Sequence, residues 1–300
     1  MKGFKKLALV AAIAAPLSSV HALEALDDSM LSDMTGQAGV TIDLETQVKI
    51  GQVAWTDTNE GAAGEVGGGS VLINDIFVGG WTGGGEVAGD RLDDIRLVID
   101  SAASGDLEIL VVTQSAFDAA GNPTGAPTPV DMGITVGSFA LDGTAGTSTI
   151  ASNINMNVLL APQKFVVKNA DYVAANGNLG KVGSGSISAQ GFFQLHESST
   201  MKLDVVGVDV TSLKVGNFLG DNATTGQAGA NDFTGTDYTQ AGFAYYNVDI
   251  YANAADQLGV EVNNFNVDVQ LTANIGNASI GQISMTDFDV SGTSLRVYGH

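Results

Sequence analysis

The sequence predicts an all-β protein with antiparallel, strongly curved sheets of bulged strands, preceded by one short amphipathic helix. From Val40 onward, apolar and polar residues alternate as they do in half-buried strands. Between the alternating runs lie segments rich in Gly, Asn, Asp and Thr, which are typical of turns; the chain contains 39 glycines. This pattern leaves open whether the strands form a sandwich or a single half-pipe.

Residues 1–22 predict a secretory signal peptide. Three lysines precede an apolar run from Leu7 to Leu17, and Val20 and Ala22 supply the small residues of a cleavage site after Ala22. The apolar run is too short to span a bilayer as a stable helix. We therefore expect the protein to be exported to the periplasm, the outer-membrane surface or the medium.

Residues 23–36 predict an amphipathic helix that ends at Gly36. Its apolar face has helical spacing. Acidic residues take the other face and suit the positive end of the helix dipole. The apolar positions are Leu23, Leu26, Met30 and Met34. The helix either covers an end or edge of its own β-core, which we favour, or docks on a partner or on secretion machinery.

The segment ALDDSMLSDMTGQAGVTIDLE, residues 25–45, carries a family resemblance. Directly after a signal peptide, it resembles the N-terminus of a family of exported γ-proteobacterial proteins of unknown function. Some members of that family are called Fil-type pilus-system proteins. The resemblance is clear over residues 1–50 and implies an envelope or surface location with a pilus connection. It supplies no catalytic residues.

Residues 37–300 predict the β-rich domain, in which one pattern recurs. Two apolar residues in alternation are followed by a two-residue gap and then by apolar residues in alternation again. The gaps are Asn74-Asp75, Gly137-Ser138, Gly216-Asn217, Asn263-Asn264 and Thr286-Asp287. Each gap is either a tight hairpin or a β-bulge that preserves the apolar face. We favour bulges, because arms of three residues make poor hairpins.

A long Gly- and Asn-rich segment at residues 219–237 raises the question of a second domain. It could divide the β-rich domain near residues 220–240, or it could be one surface loop, because long loop insertions cost little. We favour a continuous β-structure.

The composition argues against several functions. Removal of the signal peptide leaves 9 basic and 33 acidic side chains, a net charge of −24, which disfavours nucleic acid as a partner. Neighbours on a strand point to opposite faces, so His196, Glu197 and Ser198 do not form a triad through sequence proximity alone. We predict no enzymatic activity and no cofactor.

Calcium is the one metal that the sequence suggests. Carboxylate and amide oxygens in loops suit this hard cation. The candidate ligands are Asp221, Asn222, Asp232 and Asp237. Their spacing matches no known calcium loop, and ordinary solvated loop acids are the favoured alternative.

Two functions remain. The first is a non-enzymatic envelope or surface protein, structural or adhesive, whose partners are pilus-system or other envelope proteins or further copies of itself. The second is a carrier of apolar ligands such as lipid, because the strand pattern loosely resembles that of groove-shaped lipid-transport proteins of the envelope. In that case four aromatic side chains would line the groove: Phe139, Phe218, Phe265 and Phe288.

The helix gives a first testable prediction. Replacing Leu26, Met30 and Met34 together by Ser should destabilise the purified protein by several (~3 or more) kcal/mol, because large apolar groups would leave the core. Thermal unfolding measures this loss. An unchanged melting temperature with lost assembly or surface display would instead identify the helix as a docking segment.

Overall fold

The structure is a computed structural model, and it describes residues 39–57, 68–81, 91–113, 129–173, 180–227 and 238–298. Thirteen strands in these residues belong to one sheet, in which neighbouring strands run antiparallel. The predicted all-β class is therefore confirmed, as one large sheet rather than a two-sheet sandwich in the described part of the chain. The predicted signal peptide and the helix at 23–36 lie outside the described residues.

Within the described residues, the strands follow one another along the chain with few other elements between them. Their bounds are β1 Gly39–Thr46, β2 Val48–Thr56, β3 Ser70–Gly79, β4 Leu92–Ser101, β5 Leu107–Thr113, β6 Val130–Gly143, β7 Gly146–Lys168, β8 Ser186–Leu203, β9 Val208–Gly216, β10 Ala244–Ala252, β11 Leu258–Ile275, β12 Ala278–Asp289 and β13 Thr293–Val297. A one-turn helix, α1 (Asn222–Thr225), and a 3-10 turn (Tyr238–Ala241) lie between β9 and β10.

The thirteen strands form eight antiparallel lines that follow chain order. Strands β7, β8 and β11 are each a whole line, whereas the other five lines consist of two strands end to end: β1 with β2, β3 with β4, β5 with β6, β9 with β10, and β12 with β13. The pairings show this directly, because β8 pairs with β10 along its first half and with β9 along its second. The fold is thus an up-and-down meander of long, interrupted lines.

The interruptions fall at one level, which we call the central belt. At this level lie the breaks between β3 and β4, between β5 and β6, and between β9 and β10. The uninterrupted β7 has a bulge there instead, since Leu160 pairs with Phe193 while Gln163 pairs with Gly191. Pro162 lies inside this bulge, where its missing N–H leaves no ladder bond unmade.

Bulges preserve the apolar face at two of the gaps where the sequence pattern predicts them. In β11, Val262 pairs with Val248 and Asn264 with Asn247, so that Asn263 is the extra residue. In β12 the pair Thr286-Asp287 lies opposite the single residue Asp268, and Asp287 has a φ of 52°.

Two other gaps also lie inside strands, whereas one does not. Asn74 and Ser138 pair with each other in β3 and β6, and Asp75 lies opposite Gly137, so neither strand has an extra residue and the bulge interpretation is wrong at these two gaps. Asp75 instead has a φ of 53°. At Gly216-Asn217 the bulge interpretation is wrong, because β9 ends at Gly216. Asn217 begins the loop toward β10, where its backbone N–H bonds to the carbonyl of Gly242.

The best-buried core lies at the central belt. Phe192 and Tyr245, paired across β8 and β10, are 0% and 1% exposed. Tyr238 and Phe243, from the chain between β9 and β10, pack on them together with Ala161. Because β9 and β10 both pair with β8 and β11, the sheet continues across the loop that interrupts this line.

Candidate functional surface

The strand registers define an apolar face of the sheet. Residues directly opposite on neighbouring strands share a face, as do alternate residues along a strand. One row of paired residues crosses six lines and is wholly apolar: Leu107, Val167, Ile187, Ile250, Val260 and Leu295. In β8 the alternation runs unbroken from Ile187 to Leu195, which extends the same face beyond the central belt.

The apolar face continues on the other side of the belt. A second row that contains Leu195 is also wholly apolar: Met132, Val158, Leu195, Val215, Val269 and Met285. A third row covers the first four lines: Val48, Val78, Ile134 and Met156. The apolar face therefore spans the sheet from its first line to its last.

The opposite, polar face carries the charges. The row next to that of Val167 reads Asp100, Glu108, Val166, Ser188, Asp249, Glu261 and Ser294. Ion pairs also lie on this face, for example between the Lys164 ammonium and the Glu108 carboxylate at 3.1 Å. At the first line, the Arg96 guanidinium bonds Asp43 at 2.6 Å and lowers the pKa of that carboxyl.

Tyr172 lies among acidic side chains of the polar face, Asp249 and Glu261. Its hydroxyl donates to Asp249 at 3.2 Å, and its ring stacks on that of Tyr251 at 4.1 Å between centroids. Burial raises the pKa of Tyr172, and the negative charge of Asp249 raises it further by a smaller amount. Tyr172 therefore remains a protonated donor, and this pairing was not foreseen from the sequence because the partners are 77 residues apart.

A shallow depression of about 390 Å³ lies in the apolar face at the belt. Its lining residues are Val158, Leu160, Gln163, Phe193, Tyr246, Val248 and Phe265. The Tyr246 hydroxyl donates to Gln163 Oε1 at 2.7 Å, and burial raises the pKa of Tyr246 to about 12. Gln163 Nε2 donates to the carbonyls of Ala161 and Phe192. The polar atoms in the depression thus bond to one another or to the sheet.

The four predicted groove aromatics occupy different places. Phe265 lines the depression and stacks on Phe193 at 6.3 Å between centroids. Phe139 lies in a row with Val53 and Ile73 at the far end of the sheet, and Phe288 is 47% exposed on β12, in the last line. Phe218 follows β9 and lies beneath the Lys214 ammonium, 4.6 Å from the ring centre. The structure therefore brings only Phe265 to the depression.

The proposed calcium ligands are only partly described. Asp221 is exposed, and its carbonyl accepts bonds from Thr225 at the end of α1. Asp232 and Asp237 lie outside the described residues, as does the side chain of Asn222. Within the described residues no three His, Cys, Asp or Glu side chains come together to hold a metal. The calcium site stays a prediction.

His196 and Ser198 do come together, although Glu197 does not join them. Histidine Nδ1 lies 3.0 Å from Ser198 Oγ and also accepts the backbone N–H of Ser198. The imidazole packs against Trp81 at 4.6 Å between centroids, while Glu197 faces Lys214. The local bonds orient the imidazole against the tryptophan.

Asp268 is a buried carboxylate that sequence reasoning missed. It is 0% exposed and accepts the backbone N–H groups of Phe218, at 2.7 Å, and Leu219. Its other oxygen accepts the N–H of Asp287 at 3.0 Å. One side chain of β11 therefore ties the start of the β9–β10 loop to the bulge of β12. Only its position opposite a predicted bulge could have signalled this role.

Comparison with known proteins identifies one relationship. The family of unknown function DUF6160 matches residues 1–103 of the 300, which include strands β1 to β4. No curated protein and no solved structure matches the chain. None of the described helices is long and apolar enough to cross a membrane. The match confirms the expected likeness of the N-terminal region to proteins of unknown function.

Asp268 provides a test of this part of the structure. Asp268→Asn replaces one acceptor oxygen by an amide donor and leaves at least one backbone N–H unpaired, which costs about 1–3 kcal/mol. Asp209→Asn is the control, because Asp209 is exposed on β9 and surface changes usually stay within about 0.5 kcal/mol. Chemical denaturation measures both; equal stabilities would contradict the anchoring role.

Proposed function

We propose that this protein is a non-enzymatic exported envelope or surface protein with a structural or adhesive role in a pilus-type system. The predicted export signal and the N-terminal resemblance support the location and the pilus connection. The observation that carries the structural role is the continuous apolar face of a one-layer sheet. A surface of this kind is built to be covered by another molecule or by another part of an assembly, because large exposed apolar patches mark interaction sites.

In this proposal the two faces of the sheet have different roles. The acidic polar face keeps the exported chain soluble through its net charge. The apolar face offers a broad, uncharged contact area, of which Val167 and Ile187 are examples at 41% and 42% exposed. A catalytic pocket would instead concentrate perturbed acids or bases around a cleft.

Carriage of apolar ligands is a second candidate, favoured by the depression around Phe265. Its lining is apolar apart from Gln163 and Tyr246, and their hydrogen bonds satisfy each other. A lipid acyl chain could lie there without leaving a polar group unpaired. Native mass spectrometry of the gently extracted protein distinguishes this candidate, since a carrier retains lipid whereas a structural subunit does not.

Cell fractionation combined with immunogold labelling tests the proposed location and role. We expect the processed chain, beginning at Leu23, in the envelope fraction or at the cell surface. A strain lacking the gene should lose adhesion or pilus-associated structures, and the wild-type gene should restore them. A chain found solely in the cytoplasm with residues 1–22 attached would overturn the proposal.

A further inference from the structure

We propose that the apolar face packs against the same face of a second copy of this chain. This pairing rests on the proposed structural function, and it makes a second copy of the chain the partner of the apolar face. The two single-layer sheets then form a sandwich with an ordinary apolar core, as sheets in β-proteins do at a separation of about 10 Å. The same patch serves both copies, which is the arrangement of a two-fold symmetric dimer.

The distribution of charge favours another copy of this sheet as the occupant. The rows through Val167 and Leu195 contain no charged residue, whereas the row through Val166 contains Asp100, Glu108, Asp249 and Glu261. In a face-to-face pair the acidic polar faces of both copies point outward into water. The strong negative charge of the chain therefore does not oppose this pairing at the interface itself.

The exposed area is sufficient for a stable pair. Thirteen of the large apolar side chains on this face are between 38% and 66% exposed: Val48, Ile50, Val53, Trp55, Leu107, Val167, Ile187, Leu258, Ile283, Met285, Phe288, Leu295 and Val297. At roughly 80 Å² each they expose on the order of 1,000 Å², against about 800 Å² per partner in a standard stable interface. The exposed apolar area of this face is therefore on the scale that a stable pair of copies buries.

Neighbouring residues on one strand provide the test. Val167 lies on the apolar face and Val166 on the polar face of β7, so Val167→Glu and Val166→Glu make the same chemical change on opposite sides. Met285→Glu and Ser284→Glu repeat the comparison on β12, beyond the belt. The exported, processed chain and its four variants are examined by light scattering coupled to size-exclusion chromatography over a range of concentrations.

We expect the wild type and both polar-face variants to have twice the chain mass. We expect at least one apolar-face variant to be a monomer, with a dissociation constant raised at least 100-fold, because each copy would bury an unpaired carboxylate. Val167 and Met285 are exposed within a single chain, so we expect each variant to fold. Circular dichroism checks this.

Three outcomes would overturn the self-pairing. They are a monomeric wild type, a wild type that is monomeric with bound lipid, and apolar-face variants that dimerise as well as their controls. None of these touches the proposed envelope location, which fractionation tests separately. A monomer in the envelope would therefore leave the proposed function standing and remove only this partner.

Discussion

The structure depends on one constraint: along each of the eight lines, apolar side chains must point to the same face of the sheet. A strand that gains one residue without a bulge sends every later side chain to the other face. Here each line passes the central belt, and the irregularities there keep apolar residues on one face: β7 uses Ala161-Pro162 and β11 uses Asn263. The segregation of apolar and polar faces across the whole sheet follows from these local corrections.

Buried polar side chains stabilise the irregular places that the corrections create. Asp268 accepts three backbone N–H groups beside the bulge of β12, and Gln163 donates to two carbonyls beside the bulge of β7. Gly191 leaves the space that Gln163 fills, because a Cβ at this position would lie 2.0 Å from Gln163 Oε1. The belt therefore has a buried polar anchor on each face of the sheet, Asp268 on the polar face and Gln163 in the depression of the apolar face.

Local pattern predicted the fold class and two of the bulges, but it could not predict the topology or the anchors. The pairs Asn263-Asn264 and Thr286-Asp287 interrupt an alternation that is visible in the sequence. By contrast, Gly216-Asn217 has the same pattern yet ends a strand, because tertiary contacts of the following loop decide its conformation. The role of Asp268 depends on partners about 50 residues away, and the grouping of Phe265 with Phe193 depends on strand order, which periodicity does not encode.

Two single-residue deletions test the central claim most directly. Asn263 is an extra residue in β11, whereas Asn247 lies in regular alternation on β10, opposite Asn264. Deleting Asn263 makes the alternation regular with the same face, so we expect a folded protein that loses about 1–3 kcal/mol with its hydrogen bonds. Deleting Asn247 sends the side chains of half of β10 to the opposite faces of the sheet. We therefore expect this variant to show no cooperative thermal transition. Equal damage from both deletions would contradict the account.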